Sequence, residues 1–461
     1  MAPVELDFDA CYRAVSARDA RFDGRFYTAV KTTRIYCRPI CPARTPASRN
    51  VRFYRHAASA EAAGFRPCKR CRPELSPGDP GWDLRGDLIG RALRLIDDGA
   101  ADDTGIAGLA RRLHITERHL HRLFVAELGV GPLAVARTRR LLLAKQLLTE
   151  TPLPVTEVAF AAGFGSVRQF NATMRETYGF TPSELRATAG PSGVAEGAAE
   201  LRLRLHRREP YDVSGMYAFL ASRAIPGLET VDGLSYTRLV PGGTLTLTPA
   251  PGAFNLDITL DDTRQLARVV ARCRRLLDLD ADPAAIAAAL GSTSLEPLVL
   301  ARPGLRVPGT FDGFELAVRA VVGQQISVAG ARTLLGRIVT RTGPLFPSAA
   351  VLAESDLTGL GLTTRRLATM RDLAFRVADG QIDLDGGMQP SEAVAALLKV
   401  PGIGPWTASY IALRALRDPD AWPTGDLVLN KRMAALGIPA DHVERWRPWR
   451  AYAALHLWSS S

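Results

Sequence analysis

Two close cysteine pairs limit what the N-terminal stretch of this chain can fold into. They read Cys37-Arg38-Pro39-Ile40-Cys41 and Cys68-Lys69-Arg70-Cys71. Each pair can present two sulfurs from one short loop, and four thiolates complete the tetrahedral shell of a Zn²⁺ ion. The metal also holds thiols deprotonated, and the thiolate is the nucleophilic form of cysteine. Spacing therefore leaves three roles open for Cys37, Cys41, Cys68 and Cys71: structural staple, chemical reagent, or both. The aromatic and β-branched stretch 22–35 predicts strands that end just before Cys37. Arg44, Arg49, Arg52, Lys69 and Arg70 surround the pairs.

The basic character extends beyond this segment. The 461 residues carry a formal net charge of +11, and the isoelectric point is near 9.7. That balance favours a polyanionic partner, nucleic acid ahead of an anionic membrane surface. No apolar run is long enough to span a bilayer. The opening Met1-Ala2-Pro3-Val4-Glu5-Leu6-Asp7 lacks the basic-then-apolar order of a signal peptide. A cytoplasmic, nucleoid-associated location is expected. The length predicts three or four domains. Six cysteines in so long a chain make no disulfide framework. Cys11 and Cys273 lie outside the cluster and are expected in the core.

Beyond a Pro- and Gly-rich linker at 76–81, helical periodicity continues to about Arg186. One helix covers 88–96. A helix over 106–113, a turn at His114-Ile115, and a helix capped by Thr116 with Glu117 in its first turn make a helix-turn-helix. Leu120, Leu123 and Phe124 form the apolar face of the second helix, leaving Arg118, His119, His121 and Arg122 largely outside. A connecting helix covers 141–148. The pattern then returns at 155–164, with Ser166 as cap and Phe170, Met174 and Tyr178 as apolar face. Arg168, Gln169, Asn171 and Arg175 point outward there. Two such motifs bridged by one helix suit two successive major-groove faces. Solvated surface charge accounts equally well for any single one of these arginines.

Residues 187–199, rich in Ala, Gly, Pro and Ser, form a second linker. Alternation at 201–205, 244–248 and 254–260 predicts antiparallel strands, with helices at 213–224 and 262–277. From Pro283 the chain reads as helices with short loops. Within them, Gly402-Ile403-Gly404 precedes a helix beginning near Trp406. Such a turn aims backbone N–H groups at an anion, and a DNA phosphate fits on Gly402 and Gly404. An ordinary Gly-Pro connector fits the same residues. Asp426, in the loop Trp422-Pro423-Thr424-Gly425-Asp426-Leu427, reads locally as a helix N-cap.

Resemblance to known families narrows these readings. The segments 34–44 and 63–71 resemble the zinc domain of Ada-type methylation-response proteins. That likeness implies Cys37, Cys41, Cys68 and Cys71 as ligands of one Zn²⁺. It also implies Cys37 as the residue that takes a methyl group from a DNA methyl phosphotriester, once and irreversibly. The doubled motif, with Ala162-Gly163-Phe164 and Tyr178-Gly179-Phe180-Thr181-Pro182, resembles the AraC-type activator domain. Promoter DNA, and RNA polymerase beside it, are the partners such a domain implies.

The second half is similar to AlkA-type 3-methyladenine glycosylases of the helix-hairpin-helix superfamily. The likeness rests on Pro210-Tyr211-Asp212, on 301–306, on Val322-Gly323-Gln324-Gln325-Ile326-Ser327 and on 445–450. It implies Asp426 as the catalytic carboxylate and Gln325 as the wedge that enters duplex DNA carrying alkylation damage. It implies Phe219, Trp406, Tyr410 and Trp458 as the base pocket.

These resemblances together imply a multidomain, mainly α chain with α+β parts. The divisions expected are a zinc domain at 1–78, a double helix-turn-helix at 82–187, a linker at 188–199, an α+β domain at 200–282 and a helix-hairpin-helix glycosylase domain at 283–461.

The implied chemistry is coherent. Four thiolates on Zn²⁺ carry a local charge of −2, and methylating Cys37 leaves −1, so repulsion from DNA phosphates falls. A base alkylated on a ring nitrogen is cationic, stacks on aromatic faces and leaves readily. An ionised Asp426 then has only to stabilise the sugar or orient water.

Relatives that also cut the strand place a lysine early in the helix after the hairpin. Trp406 stands there, so base excision without lyase chemistry is expected. No cysteine follows Cys273, so no iron–sulfur cluster is expected, and the lack of a Pro-Cys-His-Arg motif implies no repair of O6-alkylguanine. Leu427 replaces an aromatic residue that follows the aspartate in some relatives. Any C-terminal tail beyond Trp458 is expected to be short. Trp446 and Trp449 are expected in the core. Two rival readings are a regulator whose glycosylase-like half is an inactive DNA-binding scaffold, and a glycosylase that the N-terminal half merely tethers.

Overall fold

The computed structural model describes residues 6–79, 81, 88–187 and 201–459. The linker expected at 188–199 lies outside the described residues. Among these residues, 6–79, 81, 88–187, 201–207 and 256–271 form one compact unit, and 208–255 with 272–459 form a second.

The first unit opens with helix α1 (Phe8–Ala17), whose Asp7 cap accepts from the N–H groups of Asp9 and Ala10. A four-stranded sheet follows in the order β3-β1-β2-β4. Its strands are β1 (Tyr27–Val30), β2 (Ile35–Cys37), β3 (Val51–Tyr54) and β4 (Arg66–Pro67). The strand content expected across 22–35 is narrower than predicted. Residues Ala20–Phe22 form a 3₁₀ turn, and Cys37 is the last residue of β2 rather than the residue after it. The parallel pairing of β2 with β4 sets Tyr36 opposite Pro67, and the Cys68 N–H donates to the Tyr36 carbonyl at 2.9 Å. That register brings the two cysteine loops together.

Helices α2 (Ala57–Ala62), α3 (Leu88–Asp97), α4 (Gly105–Arg112), α5 (Glu117–Leu128), α6 (Pro132–Glu150), α7 (Val155–Ala161) and α8 (Val167–Tyr178) complete most of the unit. Thr116 caps α5 by accepting from His119 N–H at 3.2 Å, and Ser166 caps α8 by accepting from Gln169 N–H at 3.2 Å. Gly129 and Gly179 end these helices at φ 73° and 71°, the left-handed conformation that glycine adopts at least cost. The connecting helix is far longer than the 141–148 expected. Its buried face starts with Pro132, Val135 and Ala136 and runs through Thr138, Lys145 and Gln146; the polar run from Arg137 to Arg140 interrupts that stripe in the sequence.

Thr138 and Lys145 of α6 meet the zinc-binding segment. Glu61 on α2 accepts from the Tyr36 hydroxyl at 3.0 Å and from the Thr138 hydroxyl at 2.5 Å. Burial pushes its carboxyl up to about 7, with the two hydroxyl donors opposing the rise. The Lys145 ammonium donates to the Cys68 carbonyl at 3.2 Å and to Glu74 at 2.6 Å. Arg72 reaches Thr149 at 3.1 Å and Glu150 at 2.7 Å.

Strands β5 (Leu201–His206), β6 (Glu229–Asp232), β7 (Ser235–Val240), β8 (Gly243–Ala250) and β9 (Ala253–Leu260) form one sheet in the order β5-β9-β8-β7-β6. Three of them were expected. β6 and β7 were missed: β6 has four residues with one apolar, and in β7 the inward position between Tyr236 and Val240 is held by the buried Arg238, which breaks the apolar alternation. The helix expected over 262–277 is a 3₁₀ turn, Thr263–Gln265, followed by α10 (Leu266–Leu276).

In the second unit α9 (Val213–Arg223), α11 (Gly313–Val322), α12 (Val328–Thr342), α13 (Thr364–Ala378), α14 (Pro405–Arg414), α15 (Leu427–Ala435) and α16 (Arg450–Ser459) position the site. Helix α11 is buried almost throughout, and Trp446 and Trp449 join the same core as expected. Among the described residues no helix is long and apolar enough to cross a membrane.

Candidate functional site

The first unit gathers the sulfurs of Cys37, Cys41, Cys68 and Cys71 within 4.8 Å of one another, with no disulfide among them. A tetrahedral Zn²⁺ with bonds of about 2.3 Å needs sulfurs roughly 3.8 Å apart, so the donor set fits a four-thiolate zinc site. Cys68 and Cys71 are buried, whereas Cys37 and Cys41 are partly exposed. Arg38 is a partner that sequence reading missed. Its N–H donates to Cys71 Sγ at 3.3 Å, and its guanidinium donates to the Cys71 carbonyl. Asp23 pairs with that buried guanidinium. Cys11 and Cys273 are buried, and burial lifts their thiols to about 11 and about 12.

Arg44 beside the cluster is exposed. Lys69 instead lies on the Phe180 ring, 3.8 Å from its centroid, with Arg66 at 5.6 Å. Arg118 and Arg122 of α5 are exposed, as are Arg168 and Gln169 of α8. Thr116, Arg118, His119, His121, Arg122 and Val125 line one shallow concavity. Arg122 is 3.0 Å from His119 Nδ1.

The second unit holds a cavity of about 470 Å³. Phe219, Trp406, Tyr410, Trp458 and Asp426 all line it. Trp406 and Tyr410, one helical turn apart on α14, stack at 5.3 Å with planes 10° apart, and Trp458 of α16 meets Tyr410 edge-on at 6.4 Å. Asp426 is 8% exposed and accepts three donors. Trp406 Nε1 donates to Oδ2 at 2.7 Å, Trp458 Nε1 to Oδ1 at 3.3 Å, and Leu429 N–H to Oδ1 at 2.8 Å. The last contact is the N-cap of α15, so the cap reading is correct and coexists with a carboxylate facing the cavity.

Gln325 is exposed and held at φ 58°, a conformation that a non-glycine residue seldom adopts. It belongs to the turn that starts α12. Gln324, its unforeseen neighbour, ties that turn to the hairpin by donating to the Gly402 carbonyl and to Thr407, each at 3.0 Å. Gly402 sits at φ 95°, and a Cβ there would lie 2.3 Å from Thr369 Oγ1. Gly404 precedes Pro405, the first residue of α14, with open space beside its Cα.

Two further arginines were not foreseen, although each stands four residues after a pocket aromatic, the spacing of helical neighbours. Arg223 lies over Phe219 at 3.9 Å, and Arg414 lies over the same ring at 4.7 Å. Arg414 is locked by the Pro308 carbonyl at 2.7 Å, the Gly309 carbonyl at 2.9 Å and the Tyr410 hydroxyl at 2.8 Å. Burial alone would raise the Tyr410 phenol, but Arg414 and Arg223 outweigh it and leave the group below its ordinary value.

Three family models match the chain. They are the metal-binding domain of Ada at 10–74, a helix-turn-helix domain at 109–188 and the AlkA N-terminal domain at 202–312. A probable bifunctional transcriptional activator/DNA repair enzyme AlkA of Mycobacterium tuberculosis is 47% identical, over 98% of this chain and 96% of the relative. DNA-3-methyladenine glycosylase 2 of Escherichia coli is 36% identical, over 55% of this chain and 95% of the enzyme. The bifunctional transcriptional activator/DNA repair enzyme Ada of Escherichia coli is 37% identical, over 39% of this chain and 49% of that protein. The chain thus belongs to the family of bifunctional transcriptional activator/DNA repair enzymes that join Ada-type metal-binding and helix-turn-helix domains to an AlkA-type glycosylase.

Proposed function

We propose that the second unit excises alkylated bases of the 3-methyladenine and 7-methylguanine type from DNA, with Asp426 as the catalytic carboxylate. The observation that carries this is a carboxylate oriented by two indole N–H groups at the wall of an aromatic cavity. A base turned out of the helix meets Trp406, Tyr410 and Trp458. Asp426, its lone pairs fixed by Trp406, Trp458 and Leu429, holds negative charge where the sugar becomes cationic. The glycosidic electron pair leaves with the alkylated base, which departs neutral, and water adds to the sugar carbon as its proton passes to solvent. Trp406 in place of an amine nucleophile supports excision without strand cleavage. Gln325 is the residue that enters the duplex, while Gly402 and Gly404 receive a backbone phosphate. In the test, wild type releases 3-methyladenine from alkylated duplex, and Asp426→Asn at full rate would falsify the assignment.

In the first unit Cys37 is the methyl acceptor. Its sulfur attacks the methyl carbon of a methyl phosphotriester, forming the C–S bond as the C–O bond breaks, and the DNA leaves as a phosphodiester anion. When bound, Zn²⁺ keeps the four thiols of Cys37, Cys41, Cys68 and Cys71 ionised. Loss of one negative charge at Cys37 strengthens binding to promoter DNA through Arg44 and the faces bearing Arg118, Arg122, Arg168 and Gln169. Nucleoid association follows, with RNA polymerase as the partner of the bound activator. Mass spectrometry of the chain after exposure to methylated DNA locates the methyl group; a different cysteine, or none, sinks the assignment. The five divisions at 1–78, 82–187, 188–199, 200–282 and 283–461 are the domain boundaries this reading uses.

A further inference from the structure

The base cavity presents an electrostatic problem. Arg223, Arg238, Arg319, Arg332 and Arg414 line it, against only Glu229, Glu315 and Asp426. An excess of cations is a poor setting for a cationic base. Four of the five arginines are committed elsewhere. Arg238 and Arg319 pair with the buried Glu229 and Glu315. Arg332 donates to the Ala224 carbonyl at 2.9 Å. Arg414 also lies over the Phe219 ring, at 4.7 Å, but two backbone carbonyls and Tyr410 fix it in place, so it cannot leave as a base enters.

Arg223 differs. Its backbone is pinned, because Arg319 donates to its carbonyl at 3.0 Å. Its side chain donates to the neighbouring Ser222 hydroxyl at 2.7 Å, reaches the Tyr410 hydroxyl and lies over Phe219; among the described residues no carboxylate and no backbone carbonyl holds it as they hold the other four. Phe219 is one of the aromatic walls, so the guanidinium covers a face that an entering base needs. Burial lowers the Arg223 pKa, which marks a cation that gains solvation by leaving.

We infer that Arg223 is a specificity-determining guard, a resident cation on Phe219 that an entering base must displace. The inference rests on the glycosylase reading above. A cationic alkylated base restores the cation–π contact that it removes, and the net charge in the cavity is unchanged as Arg223 swings into solvent. A neutral purine breaks the same contact without replacing it. Discrimination against neutral bases is therefore built into the wall, apart from how readily each base leaves the sugar.

The test measures single-turnover excision of 7-methylguanine, cationic, and hypoxanthine, neutral, from otherwise identical duplexes by the full-length chain. In Arg223→Gln the ratio of cationic to neutral excision is expected to fall about 3- to 10-fold, the range of one cation–π contact. Arg223→Lys, which keeps a cation, retains most of the ratio. In a Phe219→Leu background, Arg223→Gln leaves the ratio where Phe219→Leu alone put it. An unchanged ratio in Arg223→Gln overturns the inference. So does a selective loss of hypoxanthine excision, which would make Arg223 a hydrogen-bond donor to the base. If wild type excises neither base, the glycosylase reading fails instead.

Discussion

Cys37 and Asp426 are set in contrasting surroundings. Cys37 is partly exposed at the end of a strand, one of four sulfurs gathered by two loops. Asp426 is almost closed off behind indoles, and both its oxygens are occupied by donors. The difference matches the roles proposed for the two residues. A residue that reacts once has to reach a phosphate on intact DNA, and nothing in its setting needs to be restored. A carboxylate that acts repeatedly benefits from a fixed orientation and few waters, which strengthen its field at the sugar.

The sharpest way to break this contrast is removal of the metal. Structural zinc contributes on the order of 10 kcal/mol to small thiolate sites. Chelation, or Cys71→Ala, is expected to unfold the segment that carries Cys37 while base excision persists. Zinc content, circular dichroism and excision on one sample check this, and a parallel fall in excision would erase the contrast. Next in size is Lys145→Ala. It removes one of the two cations on the buried Glu74 carboxylate, whose side chain is 1% exposed and which keeps only Arg72 at 3.1 Å, and it strands the Cys68 carbonyl. A cost of about 3 kcal/mol is expected in denaturant unfolding of the first unit.

Asp426→Asn keeps the shape of the site but removes its charge. A loss of about 100-fold in single-turnover excision is expected, with zinc content unaltered. The smallest effect is at the helix caps. Thr116→Ala removes the acceptor for His119 N–H and is expected to cost about 1 kcal/mol of unfolding free energy. A far larger value would mean that α5 is held by more than its cap and its apolar face.

Features legible in the sequence were local ones. Cap residues Thr116, Ser166 and Asp426 act within three positions of themselves. The apolar face of Phe170, Met174 and Tyr178 follows from helical spacing alone. The cysteines were legible because four thiols have few uses together, and the pocket aromatics because a family likeness pointed at them. What escaped were polar residues whose partners are distant in the chain. Arg38 finds Asp23, Gln324 finds Gly402, Arg414 finds Pro308, and Lys145 finds Cys68. No periodicity announces such a pair, since each residue in isolation reads as solvated surface. The first turns of α6 were missed for the same reason.

The way α6 is used bears on where this chain can be divided. Thr138, Lys145 and Thr149 hold Glu61, Cys68 with Glu74, and Arg72 in turn. They span about 16 Å of helix at 1.5 Å per residue. A fragment ending near residue 78 would leave Glu74 without its ammonium and Glu61 without one of its two hydroxyl donors. The smallest transferable cassette bearing Cys37 is thus longer than its own sheet, and expression fragments or fusion points belong after α6 rather than at the linker before it.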